Sequence, residues 1–381
     1  MTEFFDYENL TWPQVAALPR DLPLILPLGR GYSLEQLASA LGNPPRIGRL
    51  PPLPFGWIGS GLAVPEPALT AYLSNLLGSL RDDGFTRVYA LTPQGLGTQG
   101  LGPQYLGPNL GAQRIALPVR QALPAPLPPD GERGKVILIP IGHTEQHGYH
   151  LPMSTDTLIV EAIARGTAAA VPDQAACLPV MPYGVSTHRQ AFAGTLNAGG
   201  RAFEDFWLAV LDSLVGRGFD RFYLLSGHGG NCSFLVNVVK YAGERHPRAF
   251  SATAWLYLSG PQGVAALEAH RQSQPGGMGH ACELETSLIL HLRPDLVHME
   301  RVVDETEFIS TPSYSMDWVE SGALVANPPW EDDTATGAYG AGSLGSAEKG
   351  CLWLEAAISE KVGHVAEIHE QHNRRQAKRQ A

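Results

Sequence analysis

Six residues, Val136 to Ile141, form an uninterrupted apolar run rich in β-branched side chains. A strand of that kind hides both faces, which calls for helices on either side of a largely parallel sheet. The next segment has the opposite character: Gly142 to Asp156 reads GHTEQHGYHLPMSTD, with three histidines, a glutamate and an aspartate. Glu145 and His147 are two apart, so an extended segment points both to one side, while Gly142 and Gly148 permit tight turns around them. The pattern suits one metal centre or two adjacent ones. Asp156 precedes the apolar-periodic Leu158, Ile159, Ala162 and Ile163, where a helix begins, and is there either a cap or a ligand.

The same succession of elements occurs twice. Leu69, Tyr72, Leu73, Leu76, Leu77 and Leu80 recur, 134 residues on, as Phe203, Phe206, Trp207, Val210, Leu211 and Leu214. GFTRVYALT (84–92) lies over GFDRFYLLS (218–226), and PLILPLG ending at Gly29 over VILIPIG ending at Gly142. Features that keep their order in this way indicate a tandem duplication with a shortened first copy. The copies part where chemistry belongs: all 13 histidines lie beyond Asp130, and Pro93-Gln94 stands where Gly227-His228 stands later. Proline density over 117–134 rules out helix and central strand there. The expected division is a ligand-free first unit over 1–115, a linker over 116–134 and a catalytic unit over 135–381, with strands at 176–181 and 250–257.

Composition narrows the functional classes. With 44% hydrophobic and 17% charged residues the chain is globular rather than disordered. A net charge of -10 without a basic block argues against nucleic acid or anionic membrane as partner. No apolar run is long enough for a membrane span, and the first residues lack signal-peptide character, so a cytoplasmic location is expected. The four cysteines form no CxxC pair, which points to reduced thiols rather than disulfides or a thiolate site.

Three further segments carry candidate chemistry. SGHGGN (226–231) follows a predicted strand, where open α/β sheets place ligands. His228 is a candidate ligand there; Gly229, Gly230 and Asn231 are candidate substrate contacts, the glycines presenting N–H groups to a developing negative charge. GGMGHACELETS (276–287) opens a helix, and its Glu283 and Glu285 cannot share a helix face, so at most one points at a given centre. His188, in the loop 183–195, and Trp255 are candidate substrate contacts, the latter by stacking. His364, His369 and His372 read as a solvated face of the C-terminal helix.

Taken together, GHTEQHGYHLPMSTDT, MPYGVSTHRQAFAGT, LLSGHGGN and GHACELETSL resemble, in order, the motifs of the creatininase family of metal-dependent amidohydrolases. The resemblance implies a three-layer α/β/α fold, two divalent metals (Zn, Mn or Fe), a small-molecule substrate and a homo-oligomer, hexameric in the family. It places metal ligands at Glu145, His147, Asp156 and His228, and the catalytic histidine at His280. Creatininase has a further glutamate two residues after the histidine of its GHGGN-like motif, and Gly230 stands there instead. The second metal then needs another carboxylate, and Glu283 is expected to supply it and to share proton transfer with His280. The resemblance implies metal-activated water attacking a C–N amide or lactam carbonyl in a small cyclic or peptide-like substrate. Opening of a ring ketone such as an oxidised inositol, and a non-catalytic binder retaining the fold, are the alternatives.

Overall fold

The structure, a computed structural model, describes residues 1–95, 112–119, 125–187, 191–318 and 322–381. In chain order the first unit contains β1 (Glu3–Asp6), α1 (Trp12–Ala16), β2 (Leu24–Pro27), α2 (Leu34–Ala40), β3 (Arg46–Arg49), α3 (Glu66–Asp82), β4 (Val88–Pro93) and β5 (Ala112–Leu117). The second begins with β6 (Val136–Ile141), α4 (Thr155–Ala170), β7 (Ala175–Cys177), α5 (Gly200–Gly216), β8 (Arg221–Ser226), α6 (Gly229–Arg245) and β9 (Phe250–Thr253). It ends with α7 (Pro261–His270), β10 (Met278–His280), α8 (Glu283–Leu292), β11 (Tyr339–Gly340) and α9 (Ala347–Gln380).

Two all-parallel sheets result, one ordered β1-β3-β2-β4-β5 and the other β7-β6-β8-β9. Every residue of β6 is buried, as a strand covered on both faces requires. Ile137, Ile139 and Ile141 face a layer containing α5 and α6, whereas Val136 and Leu138 face Val160 and Ala164 of α4 and Val365 and Ile368 of α9. This is the expected three-layer α/β/α arrangement. The first sheet repeats it on a smaller scale, Leu24 and Leu26 of β2 packing toward α3, and Ile25 toward Leu37 of α2. Between the sheets α3 meets α5, where Tyr72 and Phe206 stack with ring centroids 4.5 Å apart.

Strand order repeats too: β3-β2-β4-β5 in one sheet parallels β7-β6-β8-β9 in the other. The Gly29 N–H bonds to the Leu53 carbonyl, and the Gly142 N–H to the Met181 carbonyl, at corresponding strand ends.

Two strands are shorter than their apolar content predicts. β7 stops at Cys177, two residues before Pro179, which has no N–H for a ladder. β9 stops at Thr253 because the chain turns through left-handed conformations at Leu256 (φ 50°) and Leu258 (φ 59°), leaving Trp255 outside the sheet. The histidines of α9 are not a solvated face. His364 bonds the Tyr223 hydroxyl, His369 bonds Arg221 and the Gln174 carbonyl, and His372 lies 3.3 Å from Asp220, tying α9 to β8 and to the residue before β7.

Gly142 and Gly227, at the ends of β6 and β8, close onto the first turn of α4. A Cβ on Gly142 would strike the Thr157 backbone, and one on Gly227 would strike the Asp156 carbonyl oxygen. Gly227→Ala is therefore expected to cost about 1–3 kcal/mol by overpacking and to displace Asp156. Chemical denaturation and metal titration of the variant check this, and an unchanged metal affinity would refute the displacement.

Candidate metal centre

Six side chains converge at the carboxyl end of the β6–β8 pair, where the chain's path across the sheet reverses direction and open α/β sheets bind ligands. Glu145 and His147 come from the loop after β6, Asp156 from the first turn of α4, and His228 from the residue before α6. His280 ends β10, and Glu285 lies in the first turn of α8. All six are at least 94% buried.

The hydrogen bonds on each ring set its tautomer. His228 Nε2–H donates to the Val185 carbonyl (2.8 Å), so the Nδ1 lone pair turns toward Glu145 Oε1 (3.0 Å) and Asp156 Oδ2 (3.3 Å). His147 Nδ1–H donates to the Glu145 carbonyl (3.1 Å), leaving Nε2 facing Asp156 Oδ1 (3.1 Å) and Glu285 Oε1 (3.9 Å). His280 Nε2–H donates to the Gln146 carbonyl (2.7 Å), and its Nδ1 lies 3.6 Å from Glu145 Oε1. Glu145 Oε1 and Asp156 Oδ2 receive no hydrogen bond. Lone pairs facing one another this closely inside a protein need a cation between them, either a proton or a metal ion.

The titration behaviour carries the same message. Burial pushes the Glu145 carboxyl up, but His228 beside it holds it well below the usual range. The same pairing overcomes burial at His228 and lifts its pKa well above normal. At His147, burial is outweighed by Asp156 and the pKa rises to about 9. Glu285 is pushed up to about 7 by burial, with Asp156 and Glu145 adding to the effect. His280 falls to about 3, through burial and then His147.

The donor set fits divalent metal. Donor atoms of His147, Asp156 and Glu285 lie within 4.8 Å of one another, as do those of Glu145, His147 and His280, and of His143, Glu145 and His228. Asp156 turns one oxygen to each of His147 and His228, the disposition of a bridging carboxylate. It is not the helix cap: Ser154 holds that position, and makes no side-chain capping hydrogen bond.

Glu283 does not belong to this cluster, which corrects the expectation for the second carboxylate. Its oxygens accept from the Gln272 N–H (2.9 Å), the Ser273 N–H (2.7 Å) and Lys349 Nζ (2.5 Å), facing away from the histidines. The rule that only one glutamate points inward holds, and that glutamate is Glu285. The Cys282 thiol lies 3.7 Å from Glu285 Oε2, leaving Oε1 to face His147. No carboxylate has room two residues after His228, because a Cβ on Gly230 would press on the Val185 carbonyl and the His228 ring.

His143 and His150, the other two histidines of the loop, are both fully buried. His143 Nδ1 accepts from the Gly184 N–H (2.9 Å), which directs its Nε2 toward Glu145 Oε2 at 3.6 Å. His150 bonds Thr286.

A cavity of about 500 Å³ opens onto the cluster, and Gly229, Gly230 and Trp255 line it, as does Trp330, whose ring meets His280 edge-on at 4.9 Å. Asn231 does not line it. Its amide is taken by the Val185 N–H (2.9 Å) and the Gly142 carbonyl (3.3 Å), so it braces two loops. His188 lies outside the described residues.

Residues 129–365 match the creatininase family model, described as creatinine amidohydrolase. The chain belongs to the creatininase family. A mycofactocin precursor peptide peptidase from Mycobacterium ulcerans (strain Agy99) is 35% identical over 177 residues, covering 44% of this chain and 62% of that protein. This chain thus matches less than two thirds of that relative's length. Creatinine amidohydrolase from Pseudomonas putida is 28% identical over 240 residues, 58% of this chain and 85% of that one. A solved structure titled creatininase Mn superposes with a TM-score of 0.53 at 25% identity, covering 64% of this chain and 93% of that one.

The two glutamates can be told apart in this creatininase-family chain. Glu285→Gln is expected to lower metal affinity by about 10-fold or more with little loss of stability, since a ligand is replaced by a neutral isostere. Glu283→Gln should leave Lys349 buried without its counter-ion and cost about 3 kcal/mol, while metal content stays near that of the parent. Thermal denaturation and elemental analysis of both variants distinguish the roles, and reversal of the pattern would return Glu283 to the centre.

Proposed function

We propose that the chain is a metal-dependent amidohydrolase that cleaves a C–N amide or lactam bond. In this reading Glu145, Asp156 and His228 hold one divalent ion, and His147, Asp156 and Glu285 a second. The observation that supports it most directly is the convergence of carboxylate oxygens and imidazole lone pairs on two sides of Asp156, beside a cavity. Oxygen and imidazole donors without thiolate suit Zn, Mn or Fe(II). Bound there, such ions supply Lewis acidity toward a carbonyl oxygen and lower the pKa of water.

The protein's own groups do the rest. His280 keeps its Nδ1 unprotonated, because Nε2–H is committed to the Gln146 carbonyl and burial disfavours the cation. Nδ1 is thus the atom that takes a proton and returns it to the departing nitrogen. The first turn of α6 brings Gly229 and Gly230 to the cavity, where their N–H groups and the positive end of the helix stabilise charge developing on the carbonyl oxygen. Glu283 takes no part in proton transfer, since Lys349 holds it elsewhere.

The reading extends to the first unit, which we take as a shortened, ligand-free copy of the second. The shared strand order and the paired bonds at Gly29 and Gly142 support it.

Chelation is expected to abolish hydrolysis of amides, with Mn or Zn restoring it, and His280→Ala to lower kcat by about 100-fold or more while metal content is kept. If the purified protein binds no divalent ion in excess of a His228→Ala, Asp156→Ala double variant, the proposal fails.

Protons compete with metal at His147 and Glu285, so metal affinity should rise with pH from about 6 and level off near 9, where the raised His147 pKa is passed. Titration calorimetry across that range checks the sign; affinity that falls as pH rises would contradict the ligand assignment.

A further inference from the structure

We propose that the amide taken by this site carries an uncharged aromatic or similarly bulky apolar group on the side away from the metal centre. The inference rests on the amidohydrolase reading, and its test separates the two.

The first argument is size. A cavity of about 500 Å³ falls in the range that holds ligands much larger than a single small ring. A ring-sized amide seated against the metal donors would leave most of the wall bare.

The second is the chemistry of that wall. Away from the metal donors it is built by Phe234, Trp255, Tyr314, Trp318 and Trp330. Among the described residues no Lys or Arg lines it. Its one further carboxylate, Asp317, is already engaged by the Arg271 guanidinium (2.6 Å) and by the N–H groups of Gly276 and Met278. Among the described residues the wall therefore offers no free counter-ion to a charged substituent and a large π-surface to a neutral one.

The third is exposure. Leu324, Val325 and Trp255 are 61%, 93% and 55% exposed, yet all three belong to the cavity lining. Large apolar side chains gathered at the rim of one cavity, with ordered helices packed elsewhere, mark a surface that a ligand covers. Trp255 owes its place there to the left-handed turn at Leu256, which carries the chain out of the sheet just after β9.

The test uses the metal-loaded full chain with three probes: N-benzylacetamide, its para-carboxylate and N-methylacetamide. Binding is followed by calorimetry and hydrolysis by mass spectrometry. N-benzylacetamide is expected to bind at least about 10-fold more tightly than the other two, and Trp255→Ala to remove most of that preference, with Trp255→Phe restoring it. Leu324→Ser should erode it in the same direction. Equal binding of all three probes, tighter binding of the carboxylate, or a preference that survives Trp255→Ala would overturn the proposal. Hydrolysis of amides without any aromatic preference would leave the amidohydrolase reading standing and sink this one. Selective binding without hydrolysis of any amide would keep the pocket assignment and sink the reading beneath it.

Discussion

Everything around the centre depends on holding Asp156 between two imidazoles that both present lone pairs. Two carboxylate oxygens without hydrogen bonds sit beside His228, and burying them is costly unless a cation joins them. The fold keeps this arrangement by removing every softer alternative. Glycines at the ends of β6 and β8 let the first turn of α4 press against the strands, and backbone carbonyls of Val185 and Glu145 fix the tautomers of His228 and His147. Thr157 donates to the His143 carbonyl, joining the metal loop to the helix that carries Asp156. The ligands are thus oriented before any ion arrives, so binding needs little further ordering.

The first unit contributes to that orientation although it has no histidine. Its opening segment lies along the metal loop: the Met153 N–H donates to the Leu10 carbonyl and the Ser154 N–H to that of Glu8, two residues before Asp156. Trp12 packs against Tyr149 and Phe192, and its Nε1–H donates to the Thr336 carbonyl (2.8 Å). The next carbonyl, that of Gly337, accepts from the Gln146 amide, whose own backbone carbonyl holds His280. The N-terminal segment thus backs the loop that carries Glu145 and His147.

What was legible in the sequence follows a physical divide between local and long-range causes. The strand Val136–Ile141 was legible because burial on both faces needs an unbroken apolar run, and α3 and α5 because each carries its own periodic stripe. Glu145, His147 and His228 stood out through spacing and flanking glycines. The choice between Glu283 and Glu285 was not local. Lys349, 66 residues further along the chain, claims Glu283, and no pattern near Glu283 announces it. Asn231 misled for the same reason, since its partners Val185 and Gly142 lie in two other loops. The burial of His143 is not legible locally either, since it comes from Gly184 and His228 packing against it.

With Glu285 as the fifth ligand, as proposed above, the centre is tied to a different part of the fold. A carboxylate at position 230 would stand in the first turn of α6, directly after β8. Glu285 instead follows β10 through a two-residue turn in which Ala281 adopts a left-handed φ of 50°. β10 ends in His280, its Met278 carbonyl accepts from the Trp318 N–H, and its Met278 N–H reaches Asp317. The wall bearing Tyr314, Asp317 and Trp318 is thus hydrogen-bonded to the strand that ends in His280 and leads into the helix carrying Glu285. The aromatic wall, His280 and the helix bearing Glu285 are therefore joined through three residues of one short strand.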